Sequence, residues 1–145
     1  DVTLTVAGRG PAARYQRLAR RLGVAARVQV AGVIPAARMP DLYRAHDVLL
    51  HPAYYDPCPR VVAEALACGC AVITTPECGA SEWLRPGGNG WIISDDDAMA
   101  HAIGLLRHPD TRAAAAAAAA ETGATLDFGA HVQRVLSWLG EPAAS

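Results

Sequence analysis

The chain has 145 residues, 52% of them hydrophobic and 19% charged, with a formal net charge of −1. That balance fits one soluble globular domain and excludes a basic field that would draw the chain to nucleic acid or anionic lipid. All 13 basic residues are arginine, which excludes a P-loop, a Schiff-base nucleophile and a lysine clamp on phosphate within this sequence.

Apolar runs and helical periods alternate along the chain. Val2 to Ala7 reads as a buried strand that ends in Gly8-Arg9-Gly10-Pro11. A helix follows, with Tyr15, Leu18, Ala19 and Leu22 on one face, closed by Gly23. Arg27 to Ala31 is a second strand, ending at Gly32, and Met39 to Ala45 a short helix with Leu42 on its apolar side. Asp47 to His51 is the third strand, stopped by Pro52; Val61 to Ala67 is a helix ended by Gly69. Ala71 to Thr75 and the short Gly90 to Ile93 complete the strands. Helices then cover roughly Asp97 to Arg107, Asp110 to Glu121 and Ala130 to Leu139. Strands separated by helices predict parallel pairing through right-handed crossovers, hence a doubly wound α/β sheet. In such sheets ligands sit beyond the carboxyl ends of the strands. The alanine run from Ala113 to Ala120 favours helix and reads as a peripheral helix without a function.

Cys58, Cys68, Cys70 and Cys78 lack Cys-x-x-Cys spacing and finger-spaced histidines. They read as small, partly buried thiols in a reducing compartment rather than as metal ligands. No stretch is long and apolar enough to span a bilayer, and no signal peptide is visible, so the expected location is cytoplasmic. The chain opens on Asp1 and runs straight into a strand, which reads as a fragment of something longer, a single domain over residues 1–145.

The informative segment runs from Asp47 to Glu82. The third strand delivers the chain to Pro52, a loop carries Asp56, and a helix beginning near Pro59 or Arg60 carries Glu64. Proline suits a first helical turn, where its missing N–H has no partner anyway. The free N–H groups of Arg60 and Val61, with the helix dipole, form a site suited to phosphate. Glu64, one turn further in, can reach sugar hydroxyls. From spacing alone Asp56 is a solvated loop acid and Glu64 a surface helix residue; their surroundings reverse that reading.

Asp56 and Glu64 are eight positions apart and are followed by Glu64-Ala65-Leu66-Ala67-Cys68-Gly69 and Ala71-Val72-Ile73. Neighbouring segments fall in order: LTVAGRGP, VQVAGVIP, LYRAHDVLLHPA, CGASEWL and GGNGWII. This set resembles the retaining GT-B glycosyltransferases of the family 4, or group 1, type, whose signature is Glu-x7-Glu before a small-residue helix end and a strand. Leu49 to Ala53 and Thr74 to Gly79 look most like the lipopolysaccharide core glucosyltransferases, and Asp56-Pro57-Cys58 resembles the Glu-Pro-Cys of glycogen synthases. The resemblance covers nearly the whole chain, and the ordered set is far more specific than any one motif.

It implies a Rossmann-like C-terminal GT-B domain that binds the donor, with the first strand-helix unit missing. Glu64 would hold the ribose hydroxyls, and Asp56 would contact the transferred sugar and stabilise the reacting centre. The Arg60 and Val61 amides would meet the diphosphate, with Cys58 beside them, and Gly32, Val33 and Ile34 would line the base. The reaction implied is transfer of a sugar, glucose from UDP-glucose being favoured, to a glycan or lipid-linked acceptor with retained configuration. No metal or cofactor is implied. The acceptor would be held by an N-terminal domain, and the resemblance allows peripheral membrane association of the full-length protein.

Three departures qualify the carry-over. Asp56 is one methylene shorter than the usual glutamate, and Pro59 stands where glycine is common. The phosphate-gripping arginine and lysine of the family precede the strand with which this chain begins, so this piece alone is expected to bind poorly and transfer nothing. The same upstream segment would supply the central strand, leaving the first and third strands here to pair directly, leave a gap or borrow a strand; a weakened sheet is the expectation.

Two other readings remain. One is a degenerate glycosyltransferase domain that keeps the nucleotide site without transfer. The other is a non-enzymatic α/β module of receiver or flavodoxin type; a receiver wants an acidic cluster at the first strand end and a lysine, and neither is here. His51 either lines the cleft or packs beside Pro52. Trp83, Trp91 and Trp138 read as packing anchors, and Glu82 as a first-turn acid.

Overall fold

The computed structural model describes residues 1–140. Five strands and six α-helices follow in the order β1 Leu4–Ala7, α1 Ala12–Arg21, β2 Val28–Gly32, α2 Met39–Arg44, β3 Val48–His51, α3 Arg60–Ala67, β4 Ala71–Thr74, β5 Gly90–Ile92, α4 Asp96–Leu106, α5 Pro109–Thr125 and α6 Phe128–Trp138. Single 3-10 turns cover Ala25–Arg27, Ala36–Arg38 and Gly79–Trp83. Each element falls where the hydrophobic pattern put it, with ends displaced by a few residues at most.

All strand pairs are parallel: β1 with β2, and β3-β4-β5 with β4 in the middle. Parallel neighbours need a crossover, and α1 and α3 supply two of them. Among the described residues no ladder joins the two sheets, so β1 and β3 do not pair. The chain divides into two compact units, the first ending at Asp41 and the second starting at Leu42.

The first unit is β1, α1 and β2. Of the apolar stripe on α1, only Ala19 is buried, at 5% exposure; Tyr15, Leu18 and Leu22 stay exposed. Two strands and one helix offer too little surface to cover a full helical face.

The second unit carries the main core. All four residues of β4 are buried, as expected of a central parallel strand covered on both faces. Ala71 and Ile73, two apart and so on one face, join Trp91, Ile93, Ala102, Leu106 and Ala115 in one cluster. Val62, Ala65 and Leu66 bury the inner side of α3 completely. Each such Val, Leu or Ile stabilises the fold by about 1.5–3 kcal/mol relative to an exposed side chain. Trp91 is the anchor its pattern predicted, whereas Trp138 is 77% exposed among the described residues.

The alanine run is not peripheral. Ala115 and Ala119 are buried on α5, and with Gly123 they form a small-residue stripe. A Cβ on Gly123 would lie 2.4 Å from the Ala67 Cα, so α5 lies against the backbone of α3. Small side chains permit that approach, and alanine keeps the helix at little entropic cost. The helix continues to Thr125, four residues past the expected end at Glu121, and Gly123 within it is a contact point on α3.

Side chains settle the remaining polar groups. Asp95 caps α4 by accepting from Ala98 N–H at 2.8 Å, and Asp127 caps α6 from Ala130 N–H at 2.8 Å. Asn89, fully buried, accepts from Arg85 N–H at 2.7 Å and donates to Trp83 C=O at 3.0 Å and Thr122 Oγ1 at 2.8 Å. That accounts for the asparagine of the Gly-Gly-Asn-Gly turn, which ties the β5 approach to α5.

Gly123→Ala should destabilise the protein by about 1–3 kcal/mol through overpacking against α3, while Ala114→Ser on the exposed side should stay within about 0.5 kcal/mol. Urea unfolding of the two variants checks both values, and equal midpoints would refute the close helix contact.

Candidate functional site

The site candidates of the second unit lie between β3 and the second turn of α3. Because β3 and β4 are parallel, in register from Val48↔Ala71 to His51↔Thr74, both chains leave the sheet at the same edge. The loop after β3 is then fastened to the segment after β4. Thr74 Oγ1 donates to the His51 carbonyl at 2.7 Å, and Thr75 Oγ1 donates to the Ala53 carbonyl. Asp56 N–H donates to the Glu77 carbonyl at 3.2 Å, and Gly79 N–H donates back to the Asp56 carbonyl at 2.9 Å. Asp56 and Cys78 thus form an isolated parallel bridge. Asp56 is no free loop acid; its backbone is held on both sides.

Its side chain is held as well. His51 Nε2 lies 3.2 Å from Asp56 Oδ2, with side-chain exposures of 23% and 36%. A carboxylate only accepts, so the imidazole nitrogen facing it carries the proton. His51 thus faces Asp56 across the loop.

Pro59, buried, is the N-cap of α3, with ψ at 109°, and its carbonyl accepts from Val62 N–H at 3.1 Å. It stands one position earlier than a first-turn proline, and it brings no capping side chain. The N–H groups of Arg60 and Val61 open the helix, where no intrahelical acceptor exists for them. The first turn also carries no acid, so the positive end of the helix dipole is unopposed by a local carboxylate. Arg60 itself is exposed, as is Cys58 in the loop before it.

Glu64 sits four residues after Arg60, on the same face of α3, and its Cα–Cβ bond tilts toward the helix N-terminus. It is exposed but not loose: Tyr43 O–H donates to Glu64 Oε2 at 3.1 Å. Tyr43 is only 5% exposed. Burial, with the Glu64 carboxylate beside it, pushes its phenol above the ordinary value, so the hydroxyl stays protonated and continues to donate.

Tyr43 is the neighbour of the candidate site that sequence reasoning missed. The helix period drew attention to Leu42, yet Leu42 is half-buried and Tyr43 is the residue turned inward. The threonines ending β4 were equally silent, since a hydroxyl that binds a carbonyl twenty residues away leaves no local pattern. Gly32, Val33 and Ile34 belong to the first unit, at the carboxyl end of β2. Gly32 takes a positive φ of 70° and its carbonyl accepts from Gly8 N–H at 2.7 Å, while Val33 is 66% exposed. Cys70 is buried, and burial with Asp47 nearby pushes its thiol up to about 12, which makes it an inert packing group.

The loop has little slack at Gly79, where a Cβ would lie 2.0 Å from the Pro57 carbonyl oxygen. Gly79→Ala should therefore cost about 1–3 kcal/mol and speed hydrogen exchange at the Asp56 amide, with β4 amides still protected. Unchanged protection of Asp56 would show that the bridge does not depend on this close approach.

Known proteins resemble this chain in sequence and in fold. Residues 1–108 match the family described as Glycosyl transferases group 1. The D-inositol 3-phosphate glycosyltransferase of Thermomonospora curvata is 33% identical over 132 residues, covering 89% of this chain and 31% of that protein. The lipopolysaccharide glucosyltransferase WaaG of Escherichia coli K12 is 30% identical over 95 residues, covering 66% of this chain and 25% of that protein. The chain thus spans about a third or less of the length of these curated relatives. Among solved structures, Anabaena HepE in complex with UDP superposes with a TM-score of 0.84 at 25% identity, covering 96% of this chain and 41% of that one. A WaaG crystal structure superposes with a TM-score of 0.76 at 28% identity, covering 87% of this chain and 35% of that one. The α/β fold with parallel strands is that of GT-B glycosyltransferase C-terminal domains. With three quarters of its length matched by the family and its fold shared with these enzymes, the chain belongs to the glycosyl transferases of group 1.

Proposed function

We propose that this chain is the donor-binding domain of a retaining glycosyltransferase that moves a sugar, glucose from UDP-glucose being favoured, to a glycan or lipid-linked acceptor. The observation that carries the reading is the sequence of groups after β3. A fixed carboxylate at Asp56, two unpaired helix amides at Arg60 and Val61, and a second fixed carboxylate at Glu64 follow within nine residues. The HepE structures with UDP and with UDP-glucose support a uridine donor.

In this reading the Arg60 and Val61 N–H groups and the α3 dipole take the diphosphate, whose negative charge grows as the glycosyl bond breaks. Stabilising that leaving group is the main catalytic term, since preorganised amides need no reorientation during reaction. Glu64 accepts from ribose hydroxyls through the oxygen that Tyr43 leaves open; a carboxylate facing the diphosphate directly would repel it. Asp56 accepts from hydroxyls of the transferred sugar and offsets positive charge at the reacting carbon. Gly32, Val33 and Ile34 line the base, and Cys58 sits at the donor loop. The acceptor hydroxyl attacks from the face the leaving group vacates, which retains the anomeric configuration. The acceptor is held by a separate N-terminal domain.

One observation favours a second reading, a domain that binds nucleotide without transfer. Pro59 at the N-cap removes an N–H from the loop facing the donor, and Asp56 reaches one methylene less far than glutamate. Two measurements on the full-length protein decide. Glu64→Ala should weaken UDP binding at least about 10-fold in calorimetry, the scale of one lost charge-assisted contact. Unchanged affinity would remove Glu64 from the donor site. Asp56→Asn should lower UDP release from UDP-glucose about 100-fold, the scale of one lost electrostatic group, with UDP affinity nearly kept. Wild-type protein that binds UDP and releases none from UDP-glucose in the presence of candidate acceptors would favour the non-transferring domain.

A further inference from the structure

The hydrogen bond between His51 and Asp56 joins two residues of different standing. Asp56 has a place in the donor site proposed above, and His51 has none. His51 is the last residue of β3, and its backbone is among the most firmly held at that edge. It pairs with Thr74 in the β3-β4 ladder, and its carbonyl accepts from Thr74 Oγ1 at 2.7 Å and from Ala53 N–H at 2.9 Å. Thr74 is itself fully buried. The imidazole is thus carried on a rigid strand end, while Asp56 lies five residues further along a loop.

We propose that His51 is a positioning residue for Asp56, an inference that rests on the donor-site reading. The Nε2–H occupies Asp56 Oδ2 at 3.2 Å and so fixes both side-chain torsions of the aspartate. Oδ1 is left as the oxygen that accepts from a sugar hydroxyl. A carboxylate 36% exposed to solvent would otherwise sample several rotamers, and ordering it at the moment of binding would cost entropy. The pair also specifies the imidazole: the proton sits on Nε2, whether the ring is neutral or charged. Aspartate is the fitting partner because it has one torsion fewer than glutamate to be ordered.

Glutamine places its amide nitrogen near the position of an imidazole Nε2, asparagine places its own near Nδ1, and phenylalanine keeps the ring without a donor. The inference is tested on the full-length protein with UDP and UDP-glucose as probes. His51→Phe and His51→Asn should each lower kcat for UDP release from UDP-glucose at least about 10-fold, with the Kd for UDP changed less than about 2-fold. His51→Gln should restore most of the loss. Nitrogen NMR of the wild-type ring should show Nε2 protonated at neutral pH, and Asp56→Asn should shift that resonance. A neutral ring protonated on Nδ1 alone, with Nε2 bare, overturns the inference whatever the activities are. Equal kcat in His51→Phe and wild type, with Asp56→Asn inactive, overturns the role of His51 and leaves the donor site standing. Full activity in Asp56→Asn overturns the donor-site role of Asp56 instead, and the NMR result still reports whether the pair exists. Equal losses in His51→Gln and His51→Phe, together with lost UDP binding, would mean that His51 only supports the fold.

Discussion

The parallel ladder between β3 and β4 is the constraint on which the candidate site depends. Parallel strands release their chains at one edge of the sheet, so the loop after β3 and the segment after β4 leave side by side. Thr74, Thr75, Glu77 and Gly79 then hold residues 51–56 through backbone and hydroxyl contacts. Such bonds are individually modest, about 0.5–1.5 kcal/mol each, but they act on one short stretch and leave it few alternatives. A loop fastened this way owes its geometry to the sheet rather than to its own sequence.

The helix that follows is fixed from the other side. α3 buries Val62, Ala65 and Leu66 and receives α5 against its last turn at Ala67. The alanines and Gly123 of α5 bring two helix backbones together with little side-chain volume between them. This close contact opposes movement of α3 along its axis, and so keeps the N–H groups at its start at a constant height above the sheet edge. The distant alanine run and the site amides are parts of one packing arrangement.

Both carboxylates follow one pattern. Each has one oxygen occupied by a donor from an earlier element, Tyr43 for Glu64 and His51 for Asp56, and the other oxygen open. A buried phenol orders a carboxylate without adding charge, so its capacity to accept further hydroxyl hydrogen bonds is kept. A cation in the same place would compete electrostatically for that capacity. This is why a pair of acids suits a hydroxyl-rich ligand better than an anion, and why the anion in the proposed reading falls to the helix amides between them.

Much of this was legible in the sequence. Alternating apolar runs and helical periods fixed the element order, since burial of β4 and the inner face of α3 requires continuous or periodic apolar residues. The spacing of Asp56, Arg60 and Glu64 within an ordered set of motifs singled out the candidate residues, because a strand end, a loop and a helix start must be contiguous in the chain. The sequence could not reveal Tyr43, whose partner lies 21 residues away, or the hydrogen bond between His51 and Asp56. Nor could it tell a peripheral alanine helix from one packed on the α3 backbone, or a Trp138 that packs from one left in solvent. Local propensity and period are written along the chain and can be read there. Which side chains meet across space is decided only when the sheet edge and the helices are assembled.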